Sequence, residues 1–193
     1  MAPPGGPTDE LVHDAIAGRP DAVEALYGRV TPRVLAYVRM RMGQSLRARM
    51  DSRDILQATL LKSFERLSEF RGTNAASLMA WLSRIAEREI LDRADFHQRA
   101  RRSPSREAPL SGQDVLEARV TSVLSRMIRD ERVERLEAAM EGLSDAHREI
   151  ILLRKFQDLP FREIAARLGK SEDACRMLLA RALAALTLRL AGQ

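Results

Sequence analysis

FREIAARLGKSEDACRMLLARA, Phe161–Ala182, carries the apolar spacing of two short helices joined by a tight turn. Ile164, Leu168, Cys175 and Leu178 recur at helical intervals, so each helix turns one face inward. Ala165 is small where the second helix crosses the first, and a larger side chain there would push the two apart. Gly169 can take the positive φ that ends the first helix. Ser171 is placed to cap the second, with Glu172 and Asp173 in its electropositive first turn. Leu159-Pro160 fixes the entry. Each item is common in helical bundles, but together they read as a helix-turn-helix. The outward residues of its second helix are Ser171, Glu172, Asp173, Arg176, Met177, Ala180 and Arg181, flanked by Lys170 and Arg162. Arg176 suits a guanine edge in a major groove, and Arg162, Lys170 and Arg181 suit phosphates. Arg181 has an alternative use, an internal salt bridge to Glu149 or Glu163. One bidentate base contact supplies about 1–3 kcal/mol of discrimination, too little for a reader that works alone.

The rest of the chain is consistent with that module. Its 193 residues are 45% hydrophobic and 31% charged with only 4% aromatic, which favours helices over a β-sandwich. A net charge of +5 favours a polyanionic partner. One cysteine, Cys175, and three scattered histidines, His13, His97 and His147, make neither a disulfide nor a metal site. No Ser-His-Asp, metal-ligand or phosphate-loop arrangement occurs, so the expectation is no enzyme, no cofactor and no small-molecule substrate. The opening MAPPGGPTDE has no basic-then-apolar signal, and no apolar run reaches membrane-spanning length. A cytoplasmic protein without membrane insertion is expected.

Helical signals run almost continuously. Thr8-Asp9-Glu10 opens a short helix that Gly18 can close, and Pro20-Asp21 starts another through Tyr27. Thr31 before Pro32 reads as a cap with proline at the first helical position, and its helix runs to Gly43 with Val34, Leu35 and Val38 inward. Asp51 or Ser52 caps a helix striped by Leu56, Leu60, Phe64 and Leu67. After FRGTNAA a long helix carries Leu78, Leu82, Ile85 or Ala86, and Ile90. The segment HQRARRSPSREAPLSGQD has no apolar period and four arginines against one glutamate, as in a linker or basic arm. Beyond it, Leu136, Ala139 and Met140 precede Gly142, and Ser144 caps a helix holding Ile150, Ile151 and Leu153. The fold class is therefore all-α: two small helical bundles joined by a flexible basic linker. The expected boundaries are a disordered tail over 1–7, a helical domain over 8–100, a linker over 101–125 and a helix-turn-helix domain over 126–193.

Two features of the first half carry charge. Between Arg29 and Arg53 stand seven arginines and one acid, Asp51. The helix DSRDILQATLLKSFERL, Asp51–Leu67, interrupts its apolar stripe with Asp54, Gln57 and Lys62, a polar ridge on which a partner can dock. Trp81 sits at core spacing. Phe96 adjoins His97 and the arginine run, at a helix end or against nucleic acid.

Three segments taken in order, DILQATLLKSFERL (Asp54–Leu67), WLSRIAEREILDRADFHQRARR (Trp81–Arg102) and LSDAHREIILLRKFQDLPFREIAARLGKSEDACRMLLARALAAL (Leu143–Leu186), resemble an RNA polymerase sigma factor. The resemblance is to the small two-domain extracytoplasmic-function type of the sigma-70 family and covers about residues 20–190. It implies binding to core RNA polymerase through Asp54, Gln57, Leu60 and Lys62. It implies contact with the minus-10 promoter element through Arg88, Arg93, Arg99, Arg101 and Arg102. Region 4 of the family implies minus-35 contacts from Arg162, Lys170, Ser171, Arg176 and Arg181. Arg88 and Glu89 stand where many relatives carry Asn and an apolar residue, and Met177 and Leu178 replace small, polar or basic residues. An anti-sigma protein is a further partner the resemblance brings with it. The rival readings are an autonomous helix-turn-helix regulator and a helical protein–protein adaptor.

Overall fold

The computed structural model describes residues 7–100 and 131–192, and every element among them is helical. The expected linker, 101–125, lies outside the described residues, but the first four residues of the basic segment, 97–100, continue a helix instead; the expected tail also lies outside except for Pro7, which begins α1 (Pro7–Ile16). The first bundle continues with α2 (Pro20–Arg47), α3 (Ser52–Glu65), a 3-10 turn (Leu67–Glu69) and α4 (Ala75–Ala100). The second comprises α5 (Glu131–Glu141), α6 (Asp145–Ile151), a π-helical turn (Leu152–Phe156), α7 (Phe161–Leu168) and α8 (Glu172–Ala191).

The Thr31-Pro32 pair does not start a helix: α2 runs unbroken through Pro32 and past Gly43. Proline inside a helix removes one backbone donor and crowds the preceding turn. Here the Thr31 hydroxyl donates to the Tyr27 carbonyl (2.7 Å), so the turn keeps a bond beside the site where proline removes one. Val30, Val34, Leu35, Tyr37 and Val38 around that turn are all buried. Packing on both sides outweighs the local preference for a break.

Caps fall on the residues expected for them. Asp51 accepts from the Arg53 amide (2.8 Å), Ser144 from His147 (3.3 Å) and Ser171 from Ala174 (3.2 Å). The start of α4 is capped twice. Asn74 Oδ1 accepts from the Ser77 amide (2.8 Å) while Ser77 Oγ accepts from the Asn74 amide (3.3 Å), and Asp9 of α1 accepts from the Ala75 amide (2.7 Å). Asp9 thereby stitches α1 to the start of α4. Gly72, just before this cap, has no room for a Cβ: Ser77 Oγ and the Phe70 ring stand where it would go.

In α4, Leu78, Leu82, Ala86 and Ile90 are buried, which settles the Ile85 or Ala86 alternative for Ala86. Trp81 is half-buried against Phe70, ring centres 5.3 Å apart, as core spacing predicts. The α3 stripe is only partly inward: Leu56 and Leu60 are buried, but Phe64 is 42% exposed and meets Tyr27 edge-on. Tyr27 itself is buried beside the Ser63 hydroxyl, and burial pushes its phenol up to about 12.

The two bundles are not separate bodies. The α5 helix packs along α2, the π-turn packs on α2 and α4, and the buried apolar residues of both halves form one continuous cluster. Tyr37 and Phe156 face each other across the junction with ring centres 5.7 Å apart.

Candidate nucleic-acid interface

Helices α7 and α8 form the expected helix-turn-helix. Gly169 ends α7 in the left-handed conformation (φ 62°, ψ 37°), and Ile164, Ala165 and Cys175 are buried between the helices. Leu179, Ala182 and Leu186 continue the inner face of α8, while Leu168 and Leu178 are half-buried. The entry turn also has a reason. The π-turn bonds Gln157 back to the Leu152 carbonyl (3.1 Å), and Asp158 follows with φ 51°, a conformation aspartate tolerates. Arg154 holds this corner by donating to Asp158 (2.8 Å) and to the Leu159 carbonyl (3.1 Å).

Arg162, Lys170, Ser171, Arg176 and Arg181 are all exposed on this module. Arg176 is tied down: its guanidinium donates to Asp173 (2.7 Å) and Glu172 (2.9 Å) and lies over the Phe161 ring at 5.1 Å. That arrangement pre-sets the fork and partly neutralises it. Neither internal salt bridge considered for Arg181 is formed: Glu149 pairs with Arg41, and Glu163 has no ion pair among the described residues. Among the described residues, Arg162, Lys170 and Arg181 have no ion pair. Three uncommitted cations therefore surround one pre-set guanidinium, a layout suited to phosphates around a base edge.

On the first bundle, Arg88 is exposed on α4, one residue from a buried glutamate, Glu87. Arg93 is half-buried and donates to the Asp54 carbonyl (3.3 Å), which ties α4 to the first turn of α3. Arg99 belongs to α4, whereas Arg101 and Arg102 lie outside the described residues. Phe96 is 59% exposed. Asp54 is exposed and Gln57 half-exposed on one side of α3. Leu60 is not part of that ridge: at 1% exposure it belongs to the core, because its helical phase matches Leu56. Lys62 is exposed but engages the buried Glu89 of α4, so its charge serves the α3–α4 contact.

One cluster could not be read from local spacing. Glu87 on α4 accepts from Arg41 of α2 (2.7 Å), from Gln157 after the π-turn (2.8 Å) and from Arg167 of α7. Gln157, 1% exposed, also donates to the Tyr37 hydroxyl (2.7 Å), and Arg41 also pairs with Glu149 of α6. Along the same junction Arg39 pairs with Glu137 (3.1 Å) and Arg47 with Glu141. Burial pushes the Glu87 carboxyl up, but the bonds and charges of Arg167, Arg41 and Gln157 outweigh it and hold it below its ordinary value. Burial pulls Arg41 down, and Glu149 and Glu87 outweigh that in turn. Glu137 goes the other way: its burial outweighs Arg39, and its carboxyl lies above its ordinary value.

Residues 26–102 match the family model of sigma-70 region 2, and residues 133–186 match that of sigma-70, region 4. RNA polymerase sigma factor YlaC of Bacillus subtilis (strain 168) is 30% identical over 165 residues, covering 84% of this chain and 88% of YlaC. The chain belongs to the sigma-70 family. ECF RNA polymerase sigma factor SigD of Mycobacterium tuberculosis (strain ATCC 25618 / H37Rv) is 28% identical over 191 residues, covering 95% of this chain and 84% of SigD. Among solved structures, CnrH in complex with the cytosolic domain of CnrY is 22% identical with a TM-score of 0.44, covering 96% of this chain and 98% of that one. Region 2 thus holds the exposed side of α3 and the arginines of α4, and region 4 holds the helix-turn-helix. Among the described residues no helix is long and apolar enough to cross a membrane.

Proposed function

We propose that this sigma factor docks on core RNA polymerase through Asp54 and Gln57 of α3, with Leu60 and Lys62 holding that ridge on the bundle from behind. Region 2 then engages the minus-10 element with Arg88, Arg93, Arg99, Arg101 and Arg102. Region 4 engages the minus-35 element, where Arg176 addresses a base edge and Arg162, Lys170, Ser171 and Arg181 address the backbone. The chain works as a non-enzymatic initiation factor in the cytoplasm, and an anti-sigma protein is a proposed partner.

The observation that carries this reading is the state of the region 4 arginines. A single guanidinium, already paired with two acids, is a feeble reader on its own. Held on a large DNA-binding enzyme beside a second weak reader, it becomes one contact of a bivalent grip. The second contact then forms intramolecularly at an effective concentration of about millimolar. Selectivity comes from the pair, and the polymerase supplies much of the attraction to phosphate.

Replacing the docking ridge tests the reading. Asp54→Arg with Gln57→Ala leaves the fold intact, because both side chains face solvent at least in part, and abolishes co-elution with core polymerase. Retained co-elution contradicts the docking assignment.

A further inference from the structure

We propose that Met177 reads a thymine in the minus-35 element, packing its side chain against the C5-methyl group that this base turns into the major groove. The inference rests on the region 4 reading above and names a base that the outward face of α8 accepts.

The structure separates the two residues of α8 that replace small, polar or basic ones. Leu178 is half-buried against the core, whereas Met177 is 55% exposed. Helical phase explains the difference, since successive residues turn about 100° around the axis. Cys175, Leu179, Ala182 and Leu186 mark the buried face. Met177 stands nearly opposite its centre, in line with the exposed Asp173, Ala180 and Ala184. Arg176 and Arg181 lie on either flank of that line. In a helix laid in a major groove about 12 Å wide, the side away from its support faces the groove floor. Met177 belongs to the second turn of α8, near the end of a recognition helix that meets base edges. Leu188, the other exposed large apolar residue of α8, is three turns farther on, roughly 16 Å along the axis, and outside that reach.

The chemistry of that face selects the base. A thioether offers no donor and only a weak acceptor, so Met177 cannot answer the polar edges of guanine, adenine or cytosine. Against them it displaces water without replacing the lost hydrogen bonds. Thymine alone presents a methyl group in the major groove. The unbranched methionine side chain adapts its torsions to meet that methyl. Ala180 and Ala184 add no polar group, so beyond Asp173 the strip between the two arginines is apolar. Charge decides what covers the strip. Arg176 and Arg181 on its flanks, with Lys170 and Arg162 nearby, draw it to a polyanion. A second copy of this chain meeting it face to face would set the same arginines against each other.

The experiment uses the full chain with core polymerase on a promoter that the complex transcribes. Each minus-35 thymine is replaced in turn by deoxyuridine, which lacks only the methyl group, and competition between the two templates gives the affinity ratio. The parent chain should lose about fourfold at one thymine, the factor that burying a single methyl group carries. Met177→Ala should abolish that loss, and Met177→Leu, still apolar, should keep it. The position is exposed, so circular dichroism should show both variants folded, and the deoxyuridine scan of the parent chain needs no variant at all. Indifference to deoxyuridine at every thymine overturns the proposal, as does a minus-35 element without thymine. A loss that survives Met177→Ala overturns it too, and so does a Met177→Ala penalty equal on all promoters, which would mark a contact with protein. If Arg176→Ala and a scrambled minus-35 element both leave promoter choice unchanged, the region 4 reading itself fails, so the two failures are distinguishable.

Discussion

Arg176 shows how one side chain sets the character of the reader. Asp173 and Glu172 hold its guanidinium with two hydrogen bonds, and Phe161 lies beneath it. The acids remove most of its long-range pull on phosphates but leave the fork ordered, which favours discrimination over general affinity. Arg176→Ala should therefore cost about 1–3 kcal/mol of promoter discrimination, confined to one minus-35 base pair, with little change at the other positions. Asp173→Asn should do the reverse, strengthening binding to any duplex and steepening its salt dependence. Transcription assays with core polymerase on a set of single-base minus-35 variants separate these outcomes. Equal losses at every base pair for Arg176→Ala would mean that it touches backbone only.

At the scale of elements, helix ends were the most legible part of the sequence. Asp51, Ser144 and Ser171 cap the helices expected of them, and Gly169 adopts the left-handed turn, because capping is chemistry between residues two or three apart. Pro32 was misleading for the converse reason. Its local preference is to begin a helix, and burial of Val30, Val34 and Tyr37 on either side overrides it. The cap that Asp9 places on α4 spans 66 residues of sequence and leaves no local signature. Its removal by Asp9→Ala should lower stability by about 1 kcal/mol, read as a lower urea midpoint. Amide exchange should accelerate at Ala75 and the residues after it. Exchange unchanged in that turn would show that Asn74 caps α4 without help.

For the whole molecule, composition and periodicity led to two helical bundles and to the surface cations, but not to the way the bundles meet. Arg41 and Glu87 are ordinary charged residues on amphipathic helices until Gln157 and Arg167 arrive from the other half. Partners 70 and 80 residues apart in sequence have no spacing rule to reveal them. The pairing of Lys62 was hidden in the same way, since its partner Glu89 lies on α4, whereas the burial of Leu60 was legible in its helical phase with Leu56. In the proposed reading each half alone is a weak reader. Promoter selection should therefore belong to the complex with polymerase. The direct measurement is titration of a labelled promoter fragment and a scrambled control with the purified chain, with and without core polymerase. The account predicts no preference for the promoter from the chain alone at nanomolar concentration, and a strong preference once core is added. Tight, sequence-selective binding by the chain alone would contradict it.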